Sequence, residues 1–151
     1  MRRLAALGLV ILAVTLSGCA GLLQSPPVPN PMPFPEISGI LGRDGIDVLS
    51  WTAGDDGCDD PTLSATAIRF DVSGLDATGV QHLRIYIFRN RAAWERRLAD
   101  VDSCAAAWAD DPATFEIVQV SPYVVAGQGP WAPEFAASLR KGLTEAAGTG
   151  D

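Results

Sequence analysis

The sequence has few of the side chains that most often carry chemistry. Histidine occurs once, at His82, and cysteine three times, at Cys19, Cys58 and Cys104. A single histidine leaves no group of His, Cys and carboxylate residues at zinc-ligand spacing, so no metal site is expected. Positive charge is scarce as well: 11 Lys and Arg stand against 18 Asp and Glu, for a net charge of -7, and Lys141 is the one lysine. Such a surface repels polyanions, which excludes nucleic acid as a partner on electrostatic grounds. No GxSxG elbow marks a nucleophile. After residue 16, no apolar run approaches the ~20 residues of a membrane-spanning helix.

The N-terminus carries the strongest pattern that is present. Arg2 and Arg3 precede an uncharged apolar run from Leu4 to Leu16, which leads directly into Leu16-Ser17-Gly18-Cys19. The run has the length of a signal-peptide core and is too short to span a bilayer. The tetrapeptide resembles the lipobox of bacterial lipoproteins. That resemblance implies that residues 1–18 are a removable signal peptide and that Cys19 takes a diacylglyceryl group and becomes the mature N-terminus. The expected location is a membrane, lipid-anchored, on its extracytoplasmic face. Each buried methylene contributes about 0.8 kcal/mol, so two or three acyl chains hold the chain firmly. Loss of Arg2 and Arg3 leaves nine basic residues against 18 acids, so the mature chain is more acidic still. The Arg-rich, Ala/Gly/Pro-rich composition is similar to that of envelope lipoproteins from GC-rich, actinobacterial-type genomes.

Six of the 11 prolines fall between Gly21 and Glu36. Proline fixes φ and lacks an N–H, so residues 19–36 are expected to form an extended tether ahead of one small domain, 37–151. Twelve such residues span roughly 37 Å. Cys58 and Cys104 remain once Cys19 is assigned to lipid. In an exported domain they are expected to pair as a disulfide.

Within the domain, hydrophobic periodicity predicts a weak strand at 46–51, alternating strands at 66–72 and 82–88, and an amphipathic helix at 91–109 capped by Asn90, with Asp102 and Ser103 as a possible break. Two β-rich runs at 115–120 and 123–126 flank Ser121-Pro122 as a hairpin or one kinked strand. A loop at 127–130 and a last helix from Pro133 to the Gly148 stop follow. The expected fold class is α+β, an antiparallel sheet of about four strands with two helices on one face. The order β-β-α-β-β-α resembles a circularly permuted ferredoxin-like sandwich. The segment from Ile85 onward is similar to small α+β domains of envelope lipoproteins, a likeness that carries no functional residue over.

No catalytic, cofactor or metal residue is assigned. A Ser-His-Asp triad assembles in space, so spacing alone does not exclude one around His82. Asp55, Asp56, Asp59 and Asp60 would suit calcium, but their spacing is not that of an EF-hand, and a solvated acidic loop is the better reading. Gly127-Gln128-Gly129 sits between a strand and a helix, yet lacks the Lys and Ser/Thr of a phosphate loop. Glu95, Glu116 and Glu134 are expected on exposed faces. Trp51, Trp94, Trp108 and Trp131 read as core or core-rim residues; exposure of Tyr123 with Trp131 would make an aromatic rim for a ligand. The function expected is non-enzymatic: a membrane-anchored module that binds another envelope protein. The alternatives are a small-ligand or cell-wall binding domain, or an enzyme whose site sequence does not reveal.

Overall fold

A computed structural model describes residues 30–75 and 77–148. The signal segment, Cys19 and the first part of the Pro-rich stretch lie outside the described residues. The elements are α1 (Phe34–Arg43), β1 (Asp47–Ala53), α2 (Pro61–Ser64), β2 (Ala67–Ser73), β3 (Gln81–Ile87), α3 (Arg91–Trp108), β4 (Phe115–Val120), β5 (Tyr123–Gln128) and α4 (Pro133–Ala147). The five strands form one antiparallel sheet in the order β1-β2-β3-β5-β4.

The α+β class matches the sequence expectation, but two details differ. The weak run at 46–51 is a full strand, which makes five strands rather than about four. The helices do not share a face. Helix α4 packs with α1 on one side, over Phe70, Val72, Leu83, Ile85 and Val125. Helices α2 and α3 cover the other side, over Ala67, Tyr86, Phe88, Val124 and Ala126. The cause lies in the central strands. In β5, Tyr123, Val125 and Gly127 face one layer while Val124 and Ala126 face the other, and all five are buried. A strand apolar on both sides needs cover on both sides. The order β2-β3-β5-β4 is the one a permuted ferredoxin-like sheet requires; the helix placement is not.

The tether was expected to end at residue 36, and here the structure corrects the sequence reading. Helix α1 begins at Phe34, with Pro33 at its N-cap and Pro35 in the first turn. Proline is tolerated there because those N–H groups have no intrahelical partner. Phe34, Ile37, Ile40 and Leu41 are buried as one stripe. Ahead of them, the Met32 N–H donates to the Tyr123 hydroxyl at 2.8 Å. The domain therefore starts inside the Pro-rich stretch. Helix α1 is fixed to α4 by Leu41 against Gly142 and by the Arg43–Glu145 (2.6 Å) and Lys141–Asp44 ion pairs.

Helix α3 starts as expected, with the Asn90 side chain accepting from the Ala93 N–H at 2.9 Å, and it runs unbroken through Asp102 and Ser103. Strands β4 and β5 form a hairpin that turns at Ser121-Pro122, a cis peptide. Strand β5 continues through Gln128, so Gly127 is a buried strand residue and not part of a loop. A side chain at Gly127 would run into Leu83 and Trp131, and its absence lets Trp131 lie on the sheet.

Candidate functional site

Cys58 and Cys104 are joined, with Cα atoms 5.3 Å apart. The bond pins the loop after β1 to α3. Around it, the acidic loop serves the fold. Asp56 is buried, and its carboxylate accepts from the N–H of Cys58 (3.3 Å), the N–H of Asp59 (3.2 Å) and the hydroxyl of Ser64 (3.0 Å). Tyr86 donates its hydroxyl to the Asp56 carbonyl at 2.8 Å, and burial pushes the Tyr86 phenol up to about 12. Asp55 accepts from Nε (3.1 Å) and Nη2 (2.8 Å) of Arg84 and lies 3.7 Å from Arg69. Asp60 caps α2 through the Thr62 and Leu63 N–H groups. The Thr62 hydroxyl, first among several donors, holds the Asp60 carboxyl below its usual range. Asp55, Asp56 and Asp60 thus face N–H, O–H and guanidinium donors, the opposite of what a calcium ion offers. Among the described residues, one cluster has three metal-type ligands, Asp56, Cys58 and Cys104, and two of its atoms are the disulfide sulfurs.

Helix α3 ends at Trp108 and leaves the far end of its sheet face open. Register brings polar residues together there. Ser50 pairs with Asp71, and Asp71 with His82, across β1, β2 and β3; Arg69 pairs with Arg84 in the next row. The Ser50 hydroxyl donates to Asp71 Oδ2 at 2.7 Å, and His82 Nδ1 lies 2.7 Å from Asp71 Oδ1. The bond from His82, reinforced by Ser50, holds the Asp71 carboxyl below its ordinary range. Serine, histidine and aspartate do meet, but the aspartate sits in the middle. A nucleophile triad requires the imidazole to touch the hydroxyl. Here Asp71 separates them, and the His82 ring is 68% exposed, with Nε2 as the nitrogen not held by Asp71.

His82 lines a groove of about 660 Å³ together with Arg69, Arg84, Trp108, Asp110 and Gln128. The Arg84 guanidinium lies 4.3 Å over the Trp108 ring, which meets Phe115 edge-on. Gly57, at φ +84°, allows this approach, since a Cβ there would strike Trp108 and Arg84. A second cavity of about 340 Å³, lined by Ala77, Trp131, Ala132 and Phe135, shares Thr78, Gln81 and Pro130 with the first.

Several expectations change. Tyr123 and Trp131 are buried, so they form no aromatic rim. Glu116 is not on an exposed face; its carboxylate accepts from the Trp131 N–H at 2.6 Å. Glu95 and Glu134 are exposed as expected. Gln128 uses its amide to hold the α3–β4 loop, donating to Thr114 Oγ1 (2.7 Å) and accepting from the Asp111 N–H (3.0 Å). Trp51 is not a core residue. It meets Phe34 edge-on, yet is 51% exposed, and Leu49 (55%) and Val80 (48%) are the other exposed large hydrophobics among the described residues. A bulge between Val48 and Ser50 places Leu49 as the extra residue on the edge strand.

No described helix is long and apolar enough to cross a membrane. No family model, curated protein or solved structure matches the chain.

Proposed function

We propose that this chain is a lipid-anchored protein of the cell envelope whose domain, without enzymatic activity, binds another envelope protein along the edge of β1. The anchor rests on the sequence: Arg2, Arg3, the apolar run and Leu16-Ser17-Gly18-Cys19. The Cys58–Cys104 bond supports an oxidising compartment, where such links persist.

One observation carries the binding reading. Two of the three exposed large hydrophobics among the described residues, Leu49 and Trp51, lie together on β1, and β1 is an edge strand. Edge strands are ordinarily blunted by charge, proline or brevity. After the bulge at Leu49, Ser50–Ala53 offers an open backbone edge that carries Trp51. An extended segment of the partner adds there as a further strand, with main-chain bonds giving affinity and the two apolar side chains giving selectivity. Asp47 opens the strand, in a chain of net charge -7, so the segment that fits is apolar with a basic flank.

A photoreactive amino acid placed at Leu49 or Trp51 in living cells tests this. The expected result is one defined protein adduct from both positions and none from Gln119 on β4, at the opposite sheet edge. Adding Leu49→Lys to the Trp51 probe should remove the adduct. Equal adducts from both edges, or none from either, would refute the proposal.

A further inference from the structure

We infer that a two-lobed groove round the rim of the sheet, one lobe on the α3 face and the other on the α4 face, binds a small amphipathic anion, an oxyanion head on a short apolar body. The two lobes meet at Thr78, Gln81 and Pro130, and they differ in chemistry. The larger is lined by Arg69, His82 and Arg84 against one acid, Asp110. The smaller has Ala77, Ala132, Trp131 and Phe135 as its walls and floor. Their volumes fall within the range of small-molecule sites, roughly 300–1,000 Å³.

The polar lobe is ordered in advance. Asp55 and the Trp108 ring fix Arg84, and Asp71 fixes the exposed His82 ring through Nδ1. Arg69 is different. Its Nη1 lies 3.7 Å from Asp55, beyond hydrogen-bond distance, and its side chain is 48% exposed, so its fork keeps donors for an incoming oxyanion. The Thr78 and Gln81 side chains have no hydrogen-bond partner among the described residues and stand at the waist, where a head joins a body.

Neither lobe suffices alone. Asp55, Asp71 and Asp110 more than balance the guanidiniums of Arg69 and Arg84, so a bare anion gains little and the head is held by directed bonds to the open Arg69 fork. Trp131 and Phe135 are nearly buried, so a bare hydrocarbon meets a shallow floor. Binding therefore requires both parts in one molecule, at a place distinct from the β1 backbone edge.

The mature chain with Cys19→Ala, free of lipid and detergent, is titrated with octanoate well below its aggregation concentration and followed by nitrogen-detected NMR. Acetate, inorganic phosphate and octanol are titrated in parallel. Octanoate is expected to shift the Thr78 and Gln81 amides and the Trp131 indole with saturation. The other three should bind at least tenfold more weakly. Arg69→Gln should weaken octanoate about tenfold and leave octanol unchanged. The inference is overturned if octanoate shifts none of these signals, shifts only Leu49 and Trp51, binds no better than acetate or octanol, or ignores Arg69→Gln. Binding that appears only above the aggregation concentration would mean surface adsorption and would overturn it too.

Discussion

Reducing the Cys58–Cys104 bond should cost this domain about 4 kcal/mol of stability. The two residues are 46 apart in sequence. In the chain-entropy model, opening a loop of that length returns roughly 13 cal/mol/K to the unfolded chain, or about 4 kcal/mol at room temperature. Domains of this size have a net stability of about 5–15 kcal/mol, so the loss is a large share of the whole. The structure also says where the effect should fall. Among the residues of α3, only Val101, Cys104 and Ala105 are buried, while α1 and α4 sit on the opposite face in a larger core. The loop after β1 should loosen with α3, because Asp56, Tyr86 and Cys104 form one buried group. Urea unfolding of the oxidised protein, the reduced protein and a Cys58→Ala/Cys104→Ala variant measures the cost. Hydrogen exchange locates it. A reduced protein within 1 kcal/mol of the oxidised one, or exchange that rises equally in α3 and α4, would refute the reasoning.

Other outcomes follow from single contacts. Tyr86 has its folded pKa raised to about 12 from 10.0. Its contribution is thus complete below pH 10 and is lost as pH rises toward 12, by roughly 3 kcal/mol at 1.36 kcal/mol per unit. Tyr86→Phe should flatten the fall in stability between pH 10 and 12 and cost about 1 kcal/mol at neutral pH through the lost bond to Asp56. Burial also raises Tyr123, and the Asp44 bond raises Lys141, so part of the alkaline slope should survive that substitution. Unfolding curves across that range decide it, and an unchanged slope would count against the buried phenol. Asn90→Ala removes the α3 cap and should cost about 1 kcal/mol, with Asn90→Gly only a few tenths. Equal losses in thermal unfolding would show that Asn90 Oδ1 does not cap the helix.

Much of the domain could be read from periodicity. Ile68, Phe70 and Val72 alternate with Arg69 and Asp71, and the structure seats the first three on the core. Asn90 and Gly148 mark helix ends by the chemistry of caps. Two failures have physical causes. Proline density hid α1, because proline forbids a helix interior but not a first turn; the Phe34, Ile37, Ile40 and Leu41 spacing was the available signal. The assumption of one helix-covered face missed that Val124 and Ala126 are as apolar as Tyr123 and Val125, which calls for cover on both sides. The candidate site was the least legible part. Ser50, Asp71 and His82 are far apart in sequence and meet only through strand register, which a bulge at Leu49 shifts by one residue. Trp51 looked like core because tryptophan usually is; its place on an edge strand is a property of the sheet.

Cys19 is where the proposed membrane anchor stands or falls. Peptides from the membrane fraction of the native cell, analysed by mass spectrometry, should include one that begins at Cys19 and carries the mass of a diacylglyceryl group, and Cys19→Ala should release the protein from the membrane. A native protein that keeps residues 1–18 with an unmodified Cys19 thiol would contradict it.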